Sequence, residues 1–486
     1  MDHSIILNGK QVKVGDISPT MTVLEWLRQT GFTGTKEGCA EGDCGACTIG
    51  LLDQGPDGPT WRAICSCIML VPQAFGRQIV TVEGLASDSG LHPAQQAMVD
   101  KLGSQCGYCT PGFVMSLFEA TYRSDLDSHW KMDDQICGNL CRCTGYRPIR
   151  EALYEIAGRQ PTDRFSEALD ALPEIPAVDY QRGDQRFVRP EKWGDLWTAM
   201  SDGPVRFVSG ATDLGLDITQ RFMAFPLLID LGLLPGMREI SPIADGWHIG
   251  AGVLLSDLEA WSETHSASLG KMLRFFASRQ IKNRATVGGN LCNASPIGDL
   301  PPVMLALNAV AVIRSSGAER RQPFAPSGSD PGFWTAYRTT ALQDGEVLAG
   351  IEISELHPST YASTYKVSKR RELDISAVSS AFALRLDESG VVADLRIAFG
   401  GMAATPARAL KTEAKLLGQP LSQSTIEEAI KTLKDDFSPI DDHRGTAWYR
   451  ATVAANLLRG FFEEAQGGVR VTLPDRPTGT IFAEKN

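Results

Sequence analysis

The sequence predicts a multidomain α+β chain: a small sheet-rich unit, then a compact helical unit, then a larger mixed region. Three observations predict it. The chain has 486 residues, room for about three domains at roughly 150 residues each. Its apolar fraction of 43% and charged fraction of 22% are those of packed globular domains. The local signals also change character along the chain: period-two patterns come first, helical spacing next, then alternating strands and helices rich in glycine.

The elements follow in order. SIILNGKQVKV (4–14) reads as a β-hairpin turned by Asn8-Gly9. Thr22 and Glu25 form a capping box that opens a short helix through Leu27. A loop rich in Gly and Cys then runs into the strand-like TIGLL, a second hairpin around Trp61, and a closing strand VTVEG at 80–84. In the helical unit, His92-Pro93, Thr110-Pro111 and Pro148 mark helix starts, which suggests a four-helix bundle with cysteines in its turns. Prolines and charges make 161–189 read as a linker. Beyond it, VRFVSG, PLLIDL and WHIGAG read as strands and SDLEAWSETH as a helix. SSAFALRL and VVADLRIAFG read as strands, and IEEAIKTLKDD and TAWYRATVAANLLRGFFEEA as helices.

Charge and hydropathy exclude several classes. With 47 basic against 58 acidic residues, the net charge of −11 gives no basic face for nucleic acid. No apolar run reaches the length of a membrane span, and MDHSIILNGKQVKV lacks the pattern of a secretory signal, so a reducing cytoplasm is the expected location.

Cysteine carries the chemistry. Of 11 cysteines, only Cys292 lies beyond residue 143. Such clustering reads as metal binding rather than disulfides. Cys39, Cys44 and Cys47 form C-x4-C-x2-C, the plant-type [2Fe–2S] spacing, which needs one more distant thiolate. Two sulfide-bridged tetrahedral irons require four soft ligands. The fourth is Cys65 or Cys67, and spacing does not choose. Cys106-x2-Cys109 and Cys141-x-Cys143 make a second four-thiolate set. The bland alternative, structural zinc, prefers C-x2–4-C on both sides. Cys137 and Cys292 read as small apolar fillers.

No G-x-G-x-x-G dinucleotide fingerprint and no Walker pattern is present. Two other segments read as phosphate cradles: Val208, Ser209, Gly210, Ala211, Thr212, Asp213 and Leu214, and the stretch from Ala285 to Asp299. Placed after a double iron–sulfur module, they point to a flavin, the usual converter between one- and two-electron carriers.

GTKEGCAEGDCGACT, QCGYCTPGFVMS, GNLCRCTGYRPI and ATVGGNLCNASPIGDLPP together resemble the molybdenum hydroxylase family across nearly the whole chain. The resemblance implies a plant-ferredoxin-like β-grasp domain at 1–88 and a helical [2Fe–2S] domain at 89–160. After the linker it implies a vanillyl-alcohol-oxidase-type FAD domain at 190–368 and a small α+β C-terminal domain at 369–478. It puts the fourth ligand of the first cluster on Cys67, with Cys65 where relatives usually have Asn. The second cluster would use Cys106, Cys109, Cys141 and Cys143, and Gln105 would face the molybdopterin. For FAD it adds Phe276, Ala285, Thr286, Gly289, Asn290, Asn293, Ser295, Asp299, Leu348 and Lys366 to the 208–214 turn. For NAD it marks Tyr337, Arg371 and Asp374, although a charged run is usually a solvated face and a lone Tyr usually packs.

The family's molybdenum domain has no counterpart here, so a large molybdopterin-binding partner subunit is expected, in an (αβ)2 heterotetramer, with a large apolar interface on the iron–sulfur half. No residue of this chain is assigned to substrate oxidation. The expected role is electron transfer from the partner's molybdenum cofactor through two [2Fe–2S] clusters to FAD and NAD+, while the partner oxidises hypoxanthine and xanthine to urate. The rivals are the same relay serving an aldehyde or another N-heterocycle, a stand-alone NADH:acceptor reductase, and a zinc-containing interaction protein.

Overall fold

The computed structural model describes residues 3–88 and 90–467; the expected domain ends at 1–2, 89 and 468–478 lie outside the described residues. The chain divides into two compact units. The first takes the residues up to Leu234 together with Ala277–Ala285, and the second takes Pro235–Phe276 and the described residues from Thr286 on.

In the first unit, a five-stranded sheet runs in the order Lys10–Lys13, Ser4–Leu7, Gln78–Val80, Thr48–Gly55, Gly58–Cys65. Asn8 and Gly9 both take positive φ, as the tight hairpin turn requires. The helix Val23–Gln29 has its capping box: Thr22 Oγ1 accepts from Glu25 N at 3.2 Å, and Glu25 Oε2 accepts from Thr22 N at 2.9 Å. It buries Val23, Trp26 and Leu27 against Ile5, Ile49 and Ile79. The expected closing strand at 80–84 is shorter. Strand ends at Val80, and Val82–Gly84 is a 3-10 turn. Asn8 Oδ1 takes the Thr81 N–H at 2.9 Å, which removes the next ladder donor.

The helical part has four helices, Pro93–Asp100, Thr110–Tyr122, His129–Ile136 and Arg147–Ile156. They enclose Phe113, Leu117, Phe118, Leu153 and Ile156, with Trp61 of the sheet in the same core. Part of the expected linker is folded. Val178–Arg182 and Gln185–Arg189 form a hairpin, continued in parallel by Leu227–Asp230 and Val205–Val208. Its alternate residues Val178, Tyr180 and Phe187 join the core that contains Ile5 and Phe75. That shared core is why 178–234 belongs to the same compact unit as the iron–sulfur modules.

The second unit has a five-stranded antiparallel sheet, Ile240–Ile243, Gly246–Gly250, Val347–Ser354, Val310–Arg314, Glu319–Pro323. It also has a four-stranded antiparallel sheet, Tyr361–Val367, Val378–Leu386, Val392–Gly400, Ala407–Arg408. The helix Ala447–Ala465 covers the latter with Ala454, Leu458, Phe461 and Phe462. IEEAIKTLKDD is two helices, not one: Gln423–Ile430 and Leu433–Asp436. Thr432 Oγ1 takes the Ala429 carbonyl at 2.5 Å, a side-chain bond that competes with the helix ladder. Among the described residues no helix is long and apolar enough to cross a membrane.

Candidate redox centre

The first thiol group is built on the loop before Thr48–Gly55. Ala40, Gly42 and Gly45 take positive φ and fold the loop back on itself. The N–H groups of Glu41, Asp43 and Cys44 then point at Cys39 Sγ, at 3.5, 3.3 and 3.3 Å. Cys39 N donates to Cys44 Sγ at 3.3 Å. Cys67, on the turn after Gly58–Cys65, hydrogen-bonds the sulfurs of both Cys39 and Cys47. Hydrogen bonds from Cys44, Cys67 and the loop N–H groups hold the Cys39 thiol far below its ordinary range, so a thiolate is favoured there. Cys65 is also present: it contacts the Cys47 sulfur and the Gly42 carbonyl, the latter at 3.6 Å. Five thiols therefore meet where the spacing required four.

The second group sits at the helical turns. Cys109 hydrogen-bonds Cys141, and Cys106 hydrogen-bonds Cys143. Burial, with Cys141 beside it, pushes the Cys109 thiol up to about 12. Thr144 supports the group through two bonds to Cys141 Sγ, from Oγ1 at 3.1 Å and from N at 3.5 Å. Cys106, Cys143 and Gln105 are exposed. Among the described residues no three Cys, His, Asp or Glu side chains close around a single-ion position. The second group's thiols meet in pairs, while in the first group Cys39 meets Cys44 and Cys67, and Cys47 meets Cys65 and Cys67. At least four soft sulfurs in each group, with N–H donors aimed at them, fit a two-iron cluster.

Hydrogen bonds join the two groups. Leu140 N, one peptide from Cys141, donates to the Cys44 carbonyl at 3.0 Å. Around it, Asn139 Nδ2 donates to the Gly45 carbonyl at 3.0 Å, and Asn139 Oδ1 accepts from Ser116 Oγ at 2.6 Å and Gln280 Nε2 at 2.7 Å. The Tyr108 hydroxyl donates to the Glu37 carbonyl. Approach this close requires glycine: a Cβ on Gly112 would lie 2.2 Å from the Gly45 oxygen. Leu140, Asn139, Tyr108 and Thr144 escaped the sequence reading. Only their nearness to the cysteine motifs could have marked them.

The residues expected at FAD are divided between the units. In the first unit, Val208 to Leu214 make the turn between Val205–Val208 and the helix Leu214–Thr219, with Ala211 at φ 61°. Gln73 Nε2 donates to the Ser209 carbonyl at 2.8 Å. A Cβ on Gly210 would lie 2.0 Å from the Arg284 oxygen and 3.0 Å from Ala285 Cα, so the turn and Ala285 are side by side. This segment also reaches the first thiol group: Gln220 Nε2 donates to the Cys39 and Ala40 carbonyls at 3.3 Å, and Leu216 packs on Cys47, Cys65 and Cys67.

In the second unit, Thr286 caps the helix Val287–Cys292 by accepting from Gly289 N at 3.1 Å. Gly289 is exposed, and Asn290 Oδ1 is out of water with no protein donor, an acceptor left for a ligand hydroxyl or N–H. Asn293 and Ser295 are half-buried on the same loop. Asp299 is already engaged: Lys366 Nζ donates to it at 2.8 Å and Ser376 Oγ at 2.5 Å. Leu348 is buried in its strand, and Phe276 is half-buried. A partnerless acceptor beside an open glycine fits a polar cofactor such as FAD.

Tyr337 stands 61% exposed on the turn between Trp334–Ala336 and Thr339–Thr340, so it is not a packing residue in this chain. The Arg371 guanidinium lies 5.3 Å from the Phe275 ring centroid and pairs with Glu372 at 2.9 Å. Burial raises the Asp374 carboxyl, but the N–H groups of Arg370, Lys369 and Ile375 outweigh that and hold it below the usual range.

Family comparisons agree in order with these modules. Residues 5–71 match the 2Fe-2S iron–sulfur cluster binding domain and 81–154 the [2Fe-2S] binding domain. Residues 181–355 match the FAD binding domain in molybdopterin dehydrogenase, and 363–465 the CO dehydrogenase flavoprotein C-terminal domain. The chain is 30% identical to xanthine dehydrogenase of Emericella nidulans over 98% of its own length and 39% of that protein's. It is 31% identical to xanthine dehydrogenase of Drosophila pseudoobscura pseudoobscura, over 94% and 38%. The chain thus spans about two fifths of the length of these curated relatives. In fold it resembles carbon monoxide dehydrogenase from Hydrogenophaga pseudoflava, with a TM-score of 0.54, 23% identity, 59% of this chain covered and 99% of that one. For quinoline 2-oxidoreductase from Pseudomonas putida 86 the values are 0.53, 24%, 60% and 100%.

Proposed function

This chain belongs to the molybdenum hydroxylase family as a homologue of its iron–sulfur and FAD part, and from that premise we propose that it is the electron-transfer subunit of an NAD+-dependent xanthine dehydrogenase. When bound, the clusters relay single electrons and the flavin pairs them for hydride transfer. The observation that carries the proposal is the Leu140–Cys44 hydrogen bond, which joins the two thiol groups in one compact unit. The Cys39/Cys44/Cys47/Cys67 set and the Cys106/Cys109/Cys141/Cys143 set each hold one [2Fe–2S] cluster. The chain's own part is to fix those sulfurs, to aim N–H and O–H donors at them, and to hold the two groups one hydrogen bond apart.

In the first unit, Val208 to Leu214 and Ala285 are assigned to FAD binding; in the second unit, taken by itself, Phe276, Thr286, Gly289, Asn290, Asn293, Ser295, Asp299, Leu348 and Lys366 are assigned to FAD binding. Lys366 and Ser376 hold the Asp299 side chain in place by their hydrogen bonds. Tyr337 gives NAD an aromatic face, flanked in role by Arg371 and Asp374.

The substrate-oxidising step belongs to a molybdopterin-binding partner subunit in an (αβ)2 assembly. Supporting this, Val99, Leu102, Tyr108 and Leu140 expose apolar side chains close in sequence to Gln105, Cys106 and Cys141. The test is xanthine-driven NAD+ reduction by the native complex. Turnover supports the whole reading. Flavin reduction by NADH without any reaction of xanthine assigns the same relay to a different hydroxylase.

A further inference from the structure

The first thiol group holds one sulfur more than a two-iron cluster uses. Cys65 and Cys67 flank Ser66, whose N–H and hydroxyl both bond the Cys47 carbonyl, at 3.3 and 2.7 Å. This pins the turn so that the cysteines on both sides face Cys47. Both are 1% exposed, and both hydrogen-bond the Cys47 sulfur. Cys65 ends the strand Gly58–Cys65 in register with Thr48, the residue after Cys47. Its Sγ also meets the Gly42 carbonyl of the cluster loop at 3.6 Å. Structural buried cysteines lie among apolar side chains alone; this one shares its cluster with Leu24 and Ile68 but also meets the Cys47 sulfur.

We propose that Cys65 is an alternative fourth ligand of the first cluster, exchanging with Cys67 and replacing it when that thiol is lost. The inference rests on the proposed assignment of a [2Fe–2S] cluster to this group. In the exchange, the iron–sulfur bond to Cys67 breaks and one to Cys65 forms. The Cys65 thiol proton passes to the released Cys67 sulfur, so charge and iron oxidation state are unchanged.

The experiment compares the wild-type complex with Cys65→Ala, Cys67→Ala and the double variant, because alanine cannot ligate. Iron per chain and the electron paramagnetic resonance signals of the dithionite-reduced protein are read together. The expected result is full iron in both single variants, with shifted g-values for the first cluster in Cys67→Ala. The double variant then keeps half the iron and only the second cluster's signal. Loss of half the iron in Cys67→Ala alone overturns the proposal, and so does its loss in Cys65→Ala alone, which would make Cys65 the sole ligand. If Cys67→Ala fails to fold, shown by loss of the second signal too, Cys67→Val fills the space and also cannot ligate. Its cluster should survive and then vanish when Cys65→Ala is added; survival in that pair overturns the proposal. A wild-type protein with no first-cluster signal would defeat the cluster assignment itself, a different outcome from any of these.

Discussion

Replacing Thr144 by Val removes one hydroxyl donor from Cys141 Sγ and keeps the side-chain shape. In the structure that donor lies at 3.1 Å, shorter than the backbone bond from the same residue at 3.5 Å. A hydrogen bond to a charged group contributes about 1.5–3 kcal/mol. Reducing the cluster adds negative charge, some of it on the ligand sulfurs, so the bond strengthens on reduction and raises the potential. If about a third of the bond is gained on reduction, the difference is roughly 0.5–1 kcal/mol. At about 59 mV per 1.36 kcal/mol for one electron, the second cluster's midpoint should fall by roughly 20–45 mV. The assay is a redox titration followed by electron paramagnetic resonance, in which the two clusters are read separately. Thr144→Ser retains the hydroxyl and should retain the potential. An unchanged second-cluster midpoint in Thr144→Val, or a shift confined to the first cluster, would refute the placement of a cluster on Cys141.

Other expectations follow from the same geometry. Glu119 is 1% exposed and accepts from Ala63 N, Gln135 Nε2, Asn283 Nδ2 and Arg279 Nε; Glu119→Ala strands these donors at a cost of roughly 3–5 kcal/mol, visible as a Tm drop on the order of 10 °C. Burial depresses His92 to about 4 from 6.5, so its contribution to stability is complete above pH 6.5 and lost as pH falls toward 4. At pH 5 the loss is about 2 kcal/mol, which should appear as a pH-dependent stability difference between the wild type and His92→Gln. Gly210→Ala forces a Cβ to 2.0 Å from the Arg284 oxygen and should lower FAD content while iron content holds. Tyr337→Ala should raise KM for NAD+ by about tenfold, the loss of one aromatic stacking contact of roughly 1.4 kcal/mol, with dye reduction unaffected.

What the sequence revealed is what local chemistry determines. The Asn8-Gly9 turn, the Thr22/Glu25 box and the cysteine spacings each act over a few residues, and each has its structural counterpart. What stayed hidden depends on distance along the chain. Leu140 meets Cys44 across almost a hundred residues, and neither residue carries a pattern that announces the other. The hairpin 178–189 lay behind prolines and charges, because its core contacts come from Ile5 and Phe75 near the other end of the unit. Cys65 and Cys67 could not be ranked from spacing because both face Cys47. Tyr337, expected to pack if it had no ligand, is exposed at a turn.

The measurement that tests the central claim most directly is anaerobic reduction of the native complex by NADH, followed by visible absorption and electron paramagnetic resonance on the same sample. The proposed relay predicts a bleached flavin and two distinct [2Fe–2S] signals of equal integrated intensity. A bleached flavin with a single cluster signal, or with none, would contradict it.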